Sequence, residues 1–216
     1  MRPAQHFEIL YASASDRLQR LRNVANAALK KPNSHFAEVN REISYITIEM
    51  HTLAANFARA YFLSSVLSPI TKSGVRIYCN PIISNFNDAL NAAMKRCKNK
   101  IWLTGKWNRR DEPPWHQPTI LINCIDEIDC SNIASVKTAF SIATTPVFEH
   151  LTKFRIFYAH RNSETILEPK NIAFYYSITE NKHPSKILCL PAYGRPQALI
   201  LDWMDDMSNV IDLLCQ

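Results

Sequence analysis

Between residues 36 and 67 the chain carries one mostly apolar line in which Phe36, Val39, Ile43, Ile46, Met50, Leu53, Phe57, Ala60, Ser64 and Leu67 recur in alternating steps of three and four. That is the period of one face of an α-helix. Asn33 and Ser34 can cap its start, and Pro69 ends it, because proline has no N–H to donate and its ring crowds the preceding turn. The pattern predicts one helix of about 33 residues, roughly 50 Å long. A second line, Tyr45, Ile48, Ala55, Phe62 and Val66, is also mostly apolar, which predicts neighbours on both flanks and a central place in a helical bundle. Use of the same seam in dimerisation is the alternative.

The rest of the chain supports an all-α reading. It has only 3 glycines in 216 residues, too few for the tight hairpins of a sandwich or barrel. Residues 5–30 read as a helix stopped at Lys31-Pro32, and Asn80-Pro81 opens another that runs to about residue 100, with Ile83, Phe86, Leu90 and Met94 or Ala93 inward. Residues 119–128 fit a strand or a helix, and 132–143 fit a helix. The runs 172–178 and 187–190 are β-prone and predict a small hairpin within 171–190. A last helix starts at Arg195-Pro196, with Leu199, Trp203, Met207 and Val210 or Ile211 on one face. No repeat or linker divides the chain, so a single domain over residues 1–216 is expected.

Several function classes are excluded or weakened by what is missing. No apolar run reaches the roughly 18 residues of a membrane span, and residues 1–10 lack a signal-peptide core, so a cytoplasmic protein with no membrane partner is expected. The 6 cysteines (Cys79, Cys97, Cys124, Cys130, Cys189, Cys215) include no C-x-x-C pair and read as reduced, scattered, buried thiols. Neither a metal nor another cofactor is expected. There is no glycine-rich phosphate loop, no H-E-x-x-H and no G-x-S-x-G. Asp202, Asp205 and Asp206 read as a solvated helix face rather than a metal site, since no partner acids stand at a recognisable spacing.

Charge is unevenly placed. Residues 95–110 hold 7 of the 25 Lys and Arg residues and none of the 19 Asp and Glu residues, so the whole net charge of +6 sits there and the remainder is nearly neutral. A cationic patch on a neutral body suits a phosphate-bearing partner. Within it Lys100, Lys106, Arg109 and Arg110 alternate with Trp102 and Trp107, and Trp115 follows, a mixture fit for stacking on unpaired bases with phosphates held alongside. The alternative is that the tryptophans pin an irregular loop, bounded by Pro113, Pro114 and Pro118, onto the bundle.

The chemistry concentrates in the helix expected to open at Pro146, with Thr145 as its cap and Glu149 in its first turn. Val147, Phe148, Leu151, Phe154 and Tyr158 make an apolar stripe, and against it stands the run Phe154-Arg155-Ile156-Phe157-Tyr158-Ala159-His160-Arg161-Asn162. Arginine, four residues, then histidine, late on an apolar helix and followed by a polar turn, resembles the R-x4–6-H motif of HEPN domains. These are helical bundles common in toxin–antitoxin and antiphage systems, and the Ala159–Asn162 ending is similar to their abortive-infection branches. The resemblance implies an endoribonuclease with a composite site at a homodimer interface, acting on RNA without a metal, together with an antitoxin or another defence-system subunit as a partner. It also implies that His160 is the general acid or base and that Arg155 stabilises charge at the phosphorus centre. On a regular helix the two residues stand roughly 140° apart and about 7.5 Å along the axis, which suits two chains sharing a cleft better than one chain gripping a phosphate. The family often carries Asn, Asp or His directly after the arginine, where this chain has Ile156. Asn162, two turns on from Arg155 if the helix continues, is the expected substitute, with Arg161 and Tyr158 as further phosphate contacts. The alternatives are an inactive HEPN-like scaffold and an RNA-binding subunit of a larger complex.

Overall fold

A computed structural model of the chain describes residues 1–98, 111–178 and 182–216. Among these residues it contains nine α-helices: α1 (Phe7–Leu29), α2 (Phe36–Ser65), α3 (Phe86–Lys98), α4 (Pro118–Glu127), α5 (Ile133–Ser141), α6 (Val147–His160), α7 (Leu167–Tyr175), α8 (Pro184–Cys189) and α9 (Leu199–Cys215). The extended pairing among the described residues is confined to the isolated bridges His6–Ile70, Ile70–Arg76 and Pro191–Ala198. The all-α expectation holds. No helix of the described residues is long and apolar enough to cross a membrane.

The long helical line is a real core face. In α2 the side chains of Val39, Ile43, Ile46, Met50, Leu53, Phe57, Ala60 and Ser64 are all buried. The second flank is covered over only part of its length, because Tyr45 and Ile48 are exposed while Phe62 is buried, so α2 is not enclosed throughout. α1 works the same way, with Phe7, Leu10, Ala14, Leu18, Leu21, Ala25 and Ala28 buried at helical spacing.

Three boundaries differ from expectation, each for a local reason. α3 starts at Phe86 rather than at Asn80-Pro81: Asn80 closes a turn by accepting from the Ile82 N–H, and it is Asn85 whose Oδ1 accepts from the N–H groups of Asn87 (2.9 Å) and Asp88 (3.1 Å). Residues 119–128, ambiguous in sequence, are helical from Pro118 onward, with proline at the first turn where its missing N–H costs nothing. Among the described residues the hairpin expected within 171–190 does not form. Pro169, Ile172, Ala173 and Tyr176 are buried at the spacing of a helix, in α7 and its cap, and α8 begins at Pro184, where His183 Nδ1 accepts from the Ser185 N–H at 3.2 Å. Short β-prone runs cannot be told from buried helical turns by composition, and here the burial period decides.

The chain divides into two compact units, one of Met1–Ser15, Ala54–Ala143 and Asn209–Gln216, the other of Asp16–Leu53 and Thr144–Ser208. The first is centred on Tyr61, whose ring lies 4.5 Å from that of Phe7 and whose hydroxyl accepts from Asn132 Nδ2 at 2.6 Å. In the same unit the buried Glu112 takes a two-point hydrogen bond from Arg59 (2.5 and 2.7 Å) and a third from Trp115 Nε1 (2.9 Å), and the Trp115 ring packs on Phe62 at 5.2 Å. The second unit holds α6, α7 and α8 with a core around Trp203, which meets Phe154 edge-on at 5.4 Å.

Candidate active site

α6 exposes a strip of its surface and buries the rest. Val147, Leu151, Phe154, Phe157 and Tyr158 face the interior of their unit, whereas Arg155, Ile156, Ala159 and His160 face solvent. Arg155 and His160 make no hydrogen bond or ion pair with any described residue, and the helix is regular up to His160. Their angular separation is therefore that of an ideal helix, roughly 140°. Ile156 stands between them in sequence, 37% exposed, and offers no polar group.

The helix stops immediately after the histidine. Arg161 takes the left-handed conformation (φ 49, ψ 41) and its N–H closes on the Phe157 carbonyl at 2.7 Å. A non-glycine residue in this region carries a cost of roughly 1–2 kcal/mol, so the turn is held by its surroundings. Asn162 is thereby swung off the helix: its Oδ1 accepts from the Thr165 N–H at 2.8 Å in a turn of its own. The expected two-turn alignment of Asn162 with Arg155 fails for that reason. Arg161 itself is exposed, with Nε 3.4 Å from the Tyr158 carbonyl.

Tyr158, expected as a phosphate contact, points into the protein instead. It is 5% exposed, its hydroxyl donates to Ser185 Oγ at 2.9 Å, and Ser185 Oγ in turn donates to Asn40 Oδ1 at 2.6 Å. Burial pushes the phenol well above its ordinary range. The relay ties α6 to α8 and α2 and leaves no hydroxyl for a ligand. Lys100, Lys106, Trp107, Arg109 and Arg110, expected to contact RNA, lie outside the described residues, as does Trp102. Trp115 is buried against Phe62 and bonded to Glu112, so this tryptophan pins its segment and does not stack on a base.

No family model, curated protein or solved structure matches the chain.

Two polar groupings in this unit were not legible in the sequence. The acids of α9 are not a solvated face: Asp202 and Asp206 are buried, and Asp205 pairs with Arg22. Asp206 accepts from both the N–H and the hydroxyl of Thr144 (3.3 and 2.9 Å) and from the Thr145 hydroxyl, so Thr145 holds α9 and does not cap α6. Among the described residues no three His, Cys, Asp or Glu side chains converge as a metal site requires. The second grouping is a cavity of about 280 Å³ in which Lys31, Lys182 and Lys186 stand over an apolar floor of Leu29, Phe36 and Leu190. Lys31 is committed to Glu42 (2.7 Å) and Glu38 (3.2 Å), and Lys186 lies over the Phe36 ring. His183 packs between Phe36 and Phe157, and burial, with Arg161 and Lys186 adding to it, holds its ring below the ordinary histidine value. Arg161 and Lys186 thus flank His183 next to the end of α6. No spacing rule joins residues 31, 182 and 186, which come together by folding alone.

Proposed function

We propose that this chain is a metal-independent endoribonuclease of the HEPN type, in which Arg155 and His160 from two copies of the chain act at one shared cleft. The observation that supports this reading most is that both residues are exposed at the end of an otherwise buried helix and engage no described residue. A structural arginine or histidine would be expected to take a carboxylate or a carbonyl, and these two take neither. His160 removes the proton of an RNA 2′-hydroxyl or protonates the leaving 5′-oxygen, while Arg155 balances charge on the phosphorus as it becomes five-coordinate. The 2′-oxygen forms the new bond to phosphorus and the 5′-oxygen departs, giving a 2′,3′-cyclic phosphate and a 5′-hydroxyl. DNA, lacking the nucleophile, is spared.

The dimer follows from angle and surface. One helix cannot turn both residues toward one phosphate, and a twofold axis supplies the missing partner. Exposed Ile156 on α6, with Leu167, Phe174 and Tyr175 on α7, gives a second copy an apolar surface to cover. Arg161, exposed directly after His160, adds a positive charge beside the motif for the RNA strand. The role in defence or as a toxin, in the cytoplasm and with an antitoxin or other subunit, rests on the resemblance of the motif. A scaffold without activity is the second reading, and Ile156 favours it by removing a polar neighbour of Arg155.

The test is incubation of the purified protein with end-labelled RNA in EDTA, beside sedimentation analysis. Cutting to cyclic-phosphate ends by a dimer, with a loss of about two orders of magnitude or more in His160→Ala, is the expected result. Binding without cutting, or equal cutting by His160→Ala, rejects the enzyme.

A further inference from the structure

Four of the six cysteines, scattered in sequence, meet in pairs. Cys97, next to last in α3, and Cys124, in α4, bring their sulfurs to 3.4 Å. Cys79 and Cys130 are neighbours that push on each other's thiols, where the chain around residue 79 runs beside residues 128–131 (Asn80 N–H to Ile128 carbonyl, Ser131 N–H to Tyr78 carbonyl, both 2.9 Å). The two pairs are not equivalent. Cys130 is held between Asp129 and Ser131, whose N–H groups bond to the Asp126 and Tyr78 carbonyls, whereas Cys97 sits in the last turn of its helix, where the backbone is least constrained. All four residues belong to one compact unit.

We propose that Cys97 and Cys124 are a reversible oxidation site that closes to a disulfide when the protein meets a peroxide. A disulfide places its sulfurs about 2.0 Å apart, so they must approach by roughly 1.4 Å, within reach of side-chain rotation at a helix end. Access sets the order of events. Cys97 is half-buried and Cys124 fully buried, so the oxidant reaches Cys97 first. Burial, with Cys97 beside it, pushes the Cys124 thiol far up, so it does not meet the peroxide as a thiolate and gives up its proton only in the second step.

The steps balance as follows. The Cys97 thiolate attacks one peroxide oxygen, the O–O bond breaks, and the departing hydroxide takes the proton lost by Cys97, leaving a sulfenic acid and one water. The Cys124 sulfur then attacks the sulfenic sulfur, the S–O bond breaks, and hydroxide leaves with the Cys124 proton as a second water. Two thiols and one hydrogen peroxide become one disulfide and two waters. The two peroxide oxygens are reduced by the two electrons that the sulfurs supply. The closed loop runs from 97 to 124 and so takes in Lys100, Lys106, Trp107, Arg109 and Arg110 in sequence.

The experiment uses the full chain, reduced, then treated with a small excess of hydrogen peroxide, blocked with iodoacetamide and digested without reductant for mass spectrometry. The expected product is a Cys97–Cys124 linked peptide two hydrogens lighter than its parts, removed by dithiothreitol and missing from Cys97→Ser. Two results would overturn the proposal: alkylated or sulfinic Cys97 with unlinked Cys124, or a Cys79–Cys130 link as the only product. The readout is independent of RNA cleavage, so it stands or falls apart from the proposed activity.

Discussion

Removal of Ser185 should cost more than removal of the larger group it binds. The Tyr158 hydroxyl donates to Ser185 Oγ and Ser185 donates to Asn40, and the first two residues are buried while Asn40 is half-buried. Tyr158→Phe deletes one donor and leaves Ser185 its bond to Asn40, so it forfeits a single neutral hydrogen bond, about 1 kcal/mol. Ser185→Ala strands a buried phenol, about 1–3 kcal/mol, and withdraws a donor from Asn40, whose partial exposure lets water replace it at about 1 kcal/mol or less. The expected costs are about 1 and about 2–4 kcal/mol, or falls in melting temperature of roughly 2–4 °C and roughly 4–16 °C. The double variant should be no worse than Ser185→Ala alone, because without its hydroxyl residue 158 has nothing to strand. Thermal and urea unfolding of the three variants give the comparison. Equal costs for the two single changes, or strict additivity in the double, would refute the relay. RNA cleavage by Tyr158→Phe should stay within about threefold of wild type, since the hydroxyl points inward, whereas a phosphate contact would cost tenfold or more.

Arg155→Ala and His160→Ala, in contrast, should leave stability within about 0.5 kcal/mol of wild type, since neither residue engages any described residue, while cleavage falls about a hundredfold or more; a variant that loses both activity and several degrees of melting temperature would assign the residue a structural role. Glu112→Ala should destabilise by about 3–5 kcal/mol because it leaves Arg59 without its two-point partner and Trp115 Nε1 without an acceptor; Glu112→Gln, which keeps an acceptor, should cost less in the same melt. The histidines give a pH dependence. His183 Nδ1 accepts from the Ser185 N–H and His150 Nδ1 takes the Tyr176 hydroxyl at 3.0 Å, and burial holds both rings below the ordinary value of 6.5. The unfolded chain then binds more protons than the folded one, so their contribution is full above pH 6.5 and is lost as pH falls through that value. The melting temperature should drop between pH 6.5 and 5, and less steeply in His183→Asn, which keeps a helix cap but cannot titrate; an unchanged slope would remove His183 from the account.

The sequence by itself determined the helical class and the faces of the longest helices. A stripe such as Ile43, Ile46, Met50, Leu53 and Phe57 is a local property, written in a spacing that only an α-helix brings to one side, and the structure buries every one of those residues. Arg155 and His160 stood out through the likeness of their spacing to a family motif, and the structure leaves both exposed. What failed was a helix end, a short ambiguous run, and every contact with a partner distant in the chain. Residues 172–178 are β-prone taken alone, yet the buried positions Ile172, Ala173 and Tyr176 repeat with a helix period. Asn162 aligned with Arg155 only on a helix that Arg161 ends by a left-handed turn. The Asp202–Asp206 run looked solvated until Thr144, Thr145, Arg22 and Gln197 were brought to it, and scattered cysteines became pairs once α3 met α4. Backbone periodicity acts over one or two turns and can be read from neighbours in the chain, whereas the partner of a buried hydroxyl, carboxylate or thiol is chosen by packing between segments many residues apart, which tertiary structure alone decides.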